Sequence, residues 1–360
     1  MSKRIGVLIG RFEGYHNEHH DHVRRAALEN DVVIILLGSS NRRVSIKNPL
    51  TVKQREELIS ENIWADYEIP PSVRFVFKPL PDDPLDNDAW AEMVRMNVNS
   101  QARWEDTITL YGSDKDESTF YLKMFPEWKQ GITPAKSSMD ATTLRKAWFD
   151  GYQTDLLLNK MHKEVPYATI QYLNSLPFNM DLQQEWKYYQ DEALRFSGYP
   201  YKETLNFSCA DAIVRWRDYF LFIIRARVPG KGCKATPGGF KNRDETFQQA
   251  AIREFYEECR PNIPPDALEK CIKATKLFDD PHRAMGIPRS TLGVYFDITD
   301  MFDDFPEIYP ADDAAGYEWV HQQRLDDIAA ETYDDHIFMV KHFVKVEKEL
   351  QQLDNLLLGM

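Results

Sequence analysis

Short apolar, β-branched runs alternate with amphipathic helical patterns through the first half of the chain. Residues 4–9 (RIGVLI) and 32–37 (VVIILL) read as buried strands, with a helical pattern from about Glu18 to Glu29 between them. Strand-like runs at 73–77 (VRFVF) and 107–111 (TITLY), again separated by helical patterns, continue the alternation. This order predicts right-handed βαβ units around a parallel sheet. In such a sheet ligands sit at the carboxyl ends of the strands. The polar loops after the first, second and fourth strands are therefore where chemistry is expected.

The second half has a different rhythm. Residues 178–197 are polar and helical in pattern, which predicts a connector helix with little core of its own between domains spanning 1–180 and 181–360. Two apolar runs around Arg217-Asp218 predict a hairpin. A helix is predicted over 245–259, with Phe247, Ala250, Ala251 and Phe255 as its apolar stripe. Glu254, Glu257 and Glu258 stand at i, i+3 and i+4 on that helix, so their carboxylates project from one face. Three like charges repel one another unless a cation lies between them. A hard, oxygen-seeking ion shared with a substrate phosphate fits, Mg²⁺ first and Mn²⁺ as a substitute. An amphipathic C-terminal helix, about 334–353, is expected to pack on the core.

Composition narrows the function classes. A length of 360 residues allows two cores, and 43% hydrophobic residues place the chain among globular proteins. The net charge of -13, with no helix-turn-helix signal, argues against a nucleic-acid partner. An anionic substrate must then be held by local basic groups or a metal. Cys209, Cys233, Cys259 and Cys271 show no zinc spacing and read as reduced thiols of a cytoplasmic protein. No signal peptide and no membrane-spanning run is expected, hence no membrane partner.

The loop after the first strand, GRFEGYHNEHH, resembles the GRFxPxHxGH segment of nicotinamide mononucleotide (NMN) adenylyltransferases of the HxGH nucleotidyltransferase superfamily. Gly10, Arg11, Phe12, His16 and His19 match. A loop feeding a helix N-terminus presents free N–H groups to anions, and two histidines three apart can serve one triphosphate. Residues 38–56 resemble the family's second-strand loop, implying Lys47 as a phosphate contact and Arg55 behind it. The resemblance also implies that Asn87 and Trp90 recognise the nicotinamide nucleotide, Trp90 by stacking. Residues 111–128 resemble GxxKDxSxYYLxxFPxW, and MDATTLR (139–145) implies Thr142 and Arg145 on ATP phosphates.

In the second half, GFKNRDETFQQAAIREFYEECRP from Gly239 resembles the Nudix box, Gx5Ex7REUxEExGU, through Glu245, Arg253, Glu254, Phe255, Glu257 and Glu258. Residues 278–298 and 312–320 resemble segments of ADP-ribose pyrophosphatases. The implied fold is α/β: an N-terminal Rossmann-like nucleotidyltransferase domain plus a C-terminal Nudix α/β/α sandwich.

The implied function is a bifunctional enzyme of NAD metabolism. Its first domain joins NMN to ATP, with His16, His19 and Arg145 catalytic; its second hydrolyses ADP-ribose, with Glu254, Glu257 and Glu258 carrying metal, Glu257 catalytic and Gly239 against the substrate. Its small-molecule partners would be ATP, NMN, NAD and ADP-ribose, with a homo-oligomer left open. Two alternatives stay open: a hydrolase whose first domain binds nucleotide without turnover, and a non-catalytic ADP-ribose or NAD sensor.

The patterns are broken at Glu13, Gly14, Glu18, Asp140, Lys234 and Arg260. Glu13-Gly14 replaces Gln-Pro and is expected to loosen the loop that aims His16. Glu18 replaces the glycine of HxGH and is expected to compete for the anion site. Asp140 replaces a serine, Lys234 a tryptophan, and Arg260 the glycine that closes the box.

Overall fold

The computed structural model describes residues 2–114, 117–134, 140–151, 161 and 163–358. Lys115, Asp116 and Met139, which belong to two of the matched segments, lie outside them. The chain divides into two compact units, Met1–Asn179 and Met180–Met360.

In the first unit, β1 (Arg4–Gly10), α1 (Asn17–Glu29), β2 (Val32–Leu37), α2 (Val52–Ala65), β3 (Arg74–Pro79), α3 (Asn87–Asn99) and β4 (Thr107–Asp114) follow in turn. The sequence pattern anticipates all seven. A fifth strand, β5 (Lys129–Pro134, KQGITP), was not expected, being polar and ending in proline. It lies at the sheet edge, where one side has no partner strand to pack, so an apolar run is not required. α4 (Ala141–Asp150) and α5 (Tyr167–Ser175) follow. The sheet is wholly parallel, in the order β3-β2-β1-β4-β5. β2 is buried at every position, as a central strand covered on both faces must be. The strand order reverses beside β1, so the carboxyl ends of β1 and β4 flank a crevice of the kind that binds nucleotides.

In the second unit, α6 (Met180–Phe196) precedes the hairpin β6 (Phe207–Trp216) and β7 (Tyr219–Arg225). Then come β8 (Lys234–Ala235), β9 (Gly238–Phe240), α7 (Phe247–Cys259), α8 (Pro265–Glu269), β10 (Ile272–Phe278), β11 (Arg289–Asp297), β12 (Ala314–His321) and α9 (His336–Leu358). The main sheet runs β10-β11-β6-β7-β12. One face packs Ala250, Ala251 and Phe255 of α7 against Ala210, Val214 and Phe296. The other packs Ile337, Val340 and Phe343 of α9 against Ile213, Phe222 and Tyr295. That is the α/β/α sandwich. Among the described residues, no helix is long and apolar enough to cross a membrane.

The helix read as a polar connector is instead built into the second unit. Leu182, Glu185, Tyr189 and Glu192 of α6 are buried. Glu185 accepts the Gly230 N–H (3.0 Å), and Glu192 accepts the Ile287 N–H (3.0 Å) and pairs with Arg289. These carboxylates look solvated in sequence because their partners lie far along the chain.

α7 starts on a capping box: Thr246 accepts the Gln249 N–H and the Gln249 side chain accepts the Thr246 N–H. It ends at Arg260 in the left-handed conformation, φ 41 and ψ 55. The arginine thus adopts the backbone that glycine usually supplies. An L side chain there costs roughly 1–2 kcal/mol, and Arg260 is exposed. Arg260→Gly is therefore expected to stabilise the second unit by about 0.5–1 kcal/mol after glycine's own entropy loss. Denaturant unfolding at equilibrium measures it; a loss of stability would show that the arginine side chain outweighs the strain.

Candidate active sites

The first site grows from the loop between β1 and α1. Phe12 takes a left-handed backbone, φ 54, and its ring lies 3.1 Å from where a Cβ on Gly10 would stand. Gly10 is thus glycine because the chain folds its own aromatic ring back over it. Gly14 is tighter: a Cβ there would meet the Ala141 carbonyl at 2.9 Å. The missing side chain lets the loop rest on the first residue of α4, and one turn later α4 carries Arg145.

The Glu13-Gly14 replacement does not loosen this loop. Glu13 is buried; it accepts the Leu50 N–H (3.0 Å) and faces Arg55 Nε at 3.4 Å. Arg55 in turn donates to the carbonyls of Arg11 (2.8 Å) and Gly38 (2.6 Å). Burial pushes the Glu13 carboxyl up to about 7, with Arg55 and the Leu50 N–H pulling the other way. The pair stitches the ends of β1 and β2 to α2, and the loop is anchored.

His16, at the N-cap of α1, is buried, and its ring centroid is 4.0 Å from that of His19. Arg145 is buried as well, and its Nη2 donates to Thr142 Oγ1 (3.1 Å). Its Nη1 is buried with no acceptor among the described residues. Burial lowers the Arg145 guanidinium to about 10, and the neighbouring Arg11 pushes the same way. Arg11 repels Arg145, Glu13 and Asp140 offset part of that charge, and a buried donor lacks a partner among the described residues. An anion satisfies both.

Glu18 turns into the protein. It is buried and accepts the Ser113 hydroxyl (2.5 Å) at the end of β4, while His22 Nε2 lies 2.7 Å from the same oxygen. Glu18 lies in the first turn of α1, and the carboxylate that caps a helix is Asp140, which accepts the Thr143 N–H (2.6 Å) as N-cap of α4. Burial opposes its charge, but the Thr143 and Thr142 bonds prevail and hold it below the usual carboxylate range. The substitution of serine by aspartate keeps the capping role.

Lys47 is half-buried in the loop after β2, and Asn87 is the exposed first residue of α3. Trp90 is half-buried, edge-on to Tyr121 and tilted against Phe125. Tyr121 donates to the Ile9 carbonyl (3.2 Å), which links Trp90 to the end of β1.

In the second unit the i, i+3, i+4 spacing places Glu254, Glu257 and Glu258 along one side of α7. Arg253 gathers the helix: Nη1 donates to Glu254 (2.7 Å) and Glu257 (2.7 Å), while Nε and Nη2 grip Glu245 (3.0 and 2.7 Å). Glu258 is buried and accepts the Gly238 N–H (2.9 Å). A Cβ on Gly239 would stand 2.6 Å from Glu254 Oε1, so only glycine admits that carboxylate.

Sequence reasoning missed a further carboxylate. Asp211 on β6 is buried beneath Gly238, with Thr236 (2.9 Å) and Thr291 donating to it and His336 Nδ1 3.6 Å away. A lone aspartate in a strand run gives no signal without knowledge of its neighbours. Lys234, where tryptophan was expected, is paired with Glu318 and Glu331.

Burial pushes Glu258 up to about 8, with Glu254 and Asp211 adding to it. Glu254 is raised for the same first reason, against Arg253. Hard oxygen donors held toward neutrality suit a divalent cation, which would restore their charge. Among the described residues no three such side chains converge at coordinating distance. Glu254 and Glu257 are both engaged by Arg253.

Each half of the chain is similar to known proteins. The NUDIX domain family matches residues 207–342. The nicotinamide/nicotinic acid mononucleotide adenylyltransferase of Acinetobacter baylyi is 33% identical over 170 residues, 47% of this chain and 84% of that protein. The nicotinamide-nucleotide adenylyltransferase of Thermococcus kodakarensis is 34% identical over 151 residues, 42% of this chain and 75% of its own. A Francisella tularensis crystal structure, described as a bifunctional NMN adenylyltransferase/ADP ribose pyrophosphatase complexed with AMP and Mn ion, superposes with a TM-score of 0.82 at 28% identity. It covers 96% of this chain and 99% of that one.

Glu258 also sets a pH dependence. A carboxyl raised in the folded state stabilises the fold while protonated. Its contribution is complete below about 4.5 and is lost as pH rises through about 8. In EDTA, the second unit's melting temperature should fall over that window, and divalent metal should restore it most at the alkaline end. Glu258→Gln should flatten the profile; an unchanged slope in that variant would remove Glu258 as its source.

Proposed function

The chain belongs to the nicotinamide mononucleotide adenylyltransferase family, and from that premise we propose that it is a bifunctional enzyme with one site in each unit. It makes NAD from NMN and ATP, and it hydrolyses ADP-ribose to AMP and ribose 5-phosphate. Residues 1–180 carry the first reaction and residues 181–360 the second. The observation that carries this most is the likeness over 96% of the chain to a protein described with both activities.

In the first reaction an oxygen of the NMN 5′-phosphate attacks the α-phosphorus of ATP. A new P–O bond forms, the bond to the bridging oxygen breaks, and pyrophosphate leaves. The attacking phosphate is already ionised near neutral pH, so no residue need take a proton from it. The protein's work is placement and charge. His16, His19, Lys47, Arg11 and Arg145 hold the triphosphate, and Arg145 Nη1, which has no acceptor among the described residues, supports a direct phosphate contact. Gly10 and Phe12 shape the loop, Thr142 steadies Arg145, and Asn87 and Trp90 receive the nicotinamide nucleotide.

In the second reaction water attacks a diphosphate phosphorus of ADP-ribose. Glu254, Glu257 and Glu258 hold the divalent metal, Mg²⁺ in this reading. When bound, that ion polarises the phosphate and activates the water. Glu257 is the exposed member and the one best placed to meet solvent. Gly239 brings the backbone close to the substrate, and Arg253 with Glu245 fixes the pitch of the helix. The setting is the cytoplasm, with small-molecule ligands only and no nucleic acid or membrane.

The two sites should fail separately. His19→Ala is expected to lower NAD formation from NMN and ATP by about a hundredfold or more while leaving AMP release from ADP-ribose within twofold. Glu257→Gln is expected to do the reverse, with a comparable loss of hydrolysis. Steady-state assays of both reactions on both proteins decide it. If either variant impaired both reactions equally while folded, two independent sites could not be upheld.

A further inference from the structure

Behind the histidine pair, four polar side chains form a chain from the interior of the first unit, at Tyr15, toward its surface, at Arg24. None of them stands at a fixed position of the matched motif. Tyr15 has no solvent exposure, and its hydroxyl lies 3.1 Å from His20 Nδ1. His20 Nε2 lies 2.9 Å from Asp66 Oδ2, the same oxygen that Arg24 Nε reaches at 2.5 Å. Asp66, just past the end of α2, also accepts the Glu68 N–H with its other oxygen (3.0 Å). Buried polar groups such as Tyr15 and His20 are costly unless each is satisfied in one arrangement.

The donors and acceptors allow one assignment. Asp66 is held below the usual carboxylate range, because bonds from Arg24, Glu68 and His20 outweigh the burial that opposes its charge. As an ionised carboxylate it can only accept, so His20 Nε2 carries the proton. Burial lowers His20, although Asp66 pulls the other way, so the ring is neutral near neutral pH. Its Nδ1 is then a lone-pair acceptor, and the Tyr15 hydroxyl donates to it. The hydroxyl and both ring nitrogens are fixed.

The far side of Tyr15 faces the phosphate site. Its ring is stacked on that of His19, with centroids 5.9 Å apart and planes at 23°. Phe12 meets His19 from another direction, edge-on at 5.2 Å. His19 is thus held between two aromatic rings, one of which is anchored through its hydroxyl.

We propose that Asp66, His20 and Tyr15 form a buried positioning relay that sets the ring plane of His19 for adenylyl transfer. This rests on the reading of the first unit as an adenylyltransferase. None of the three touches substrate; each acts through the next. Their geometry parallels the way a carboxylate fixes the tautomer of a histidine in hydrolytic triads, with a stacked ring as the last member in place of a nucleophile.

The test uses full-length Tyr15→Phe, His20→Gln and the double variant, with His19→Ala as a reference. Tyr15→Phe keeps the ring and is nearly isosteric, so folding is preserved even if His20→Gln disturbs it. ADP-ribose hydrolysis by the same preparations controls for integrity. Each single variant should lower kcat for NAD formation about tenfold, with KM for ATP and NMN within about twofold. The double variant should fall no further than the worse single one, because both break the same relay. In long-range ¹H–¹⁵N spectra, His20 should appear as the Nε2–H tautomer, and the His19 ring signals should move in Tyr15→Phe. An unchanged kcat in Tyr15→Phe, losses that multiply in the double variant, or an unmoved His19 signal would each overturn the relay. Intact NAD formation in His19→Ala would instead overturn the reading of the site itself.

Discussion

Charge that is buried and only partly balanced by the protein's own counter-charges is the constraint around which both halves of this chain are arranged. In the first unit it is positive. Arg145 is held inside with one guanidinium nitrogen lacking an acceptor among the described residues, and Arg11 pushes against it while Glu13 and Asp140 offset only part of the charge. In the second it is negative. Glu258 and Glu254 are held toward neutrality by burial and by their proximity to each other and to Asp211. Both arrangements are unfavourable in the bare fold, and each is complementary to one class of ligand, a polyphosphate in the first and a divalent cation in the second. Pre-set charge of this kind costs no reorganisation at the moment of reaction.

Holding such sites requires scaffolding stronger than loops ordinarily supply, and the fold provides it with buried ionic anchors. Glu13 and Arg55 join the ends of β1 and β2 to α2, so the phosphate loop is tied at its middle as well as at its ends. In the second unit Glu185 and Glu192 bind the Gly230 and Ile287 backbones, and Arg253 binds three glutamates at once. Removing one partner of such a pair leaves the other charge buried and alone, which is why these contacts specify geometry more than they add stability. Glycine serves the same end where backbone must meet carboxylate or carbonyl, at Gly239 and Gly14.

What was legible in the sequence was local. The alternation of strand and helix, the His16–His19 spacing and the shared face of Glu254, Glu257 and Glu258 all depend on residues within a turn or two of each other. What was not legible depends on distance along the chain. His20 finds Asp66 46 residues away, Asp211 finds Thr291 80 away, and Glu192 finds Arg289 97 away. Each looks like a solvated polar residue until its partner is placed, which is how α6 came to read as a connector. The departures at Glu13 and Glu18 were visible, but their consequences were not, because both side chains turn inward to partners on other elements. Asp140 shows the opposite case: a changed residue type with an unchanged job at a helix N-terminus.

The central claim, that ligand completes a charge the fold leaves unbalanced, is tested most directly at Arg145. The measurement is calorimetric titration of α,β-methylene ATP, which cannot undergo transfer, into the wild type and Arg145→Met, together with the melting temperature of each ligand-free protein. Loss of a charged hydrogen bond to phosphate should weaken binding by about ten- to a hundredfold. The ligand-free variant should melt no lower than wild type, since a buried cation short of one partner has been replaced by an apolar chain of similar length. Unchanged affinity, with a lower melting temperature, would mean that Arg145 serves the fold and not the nucleotide.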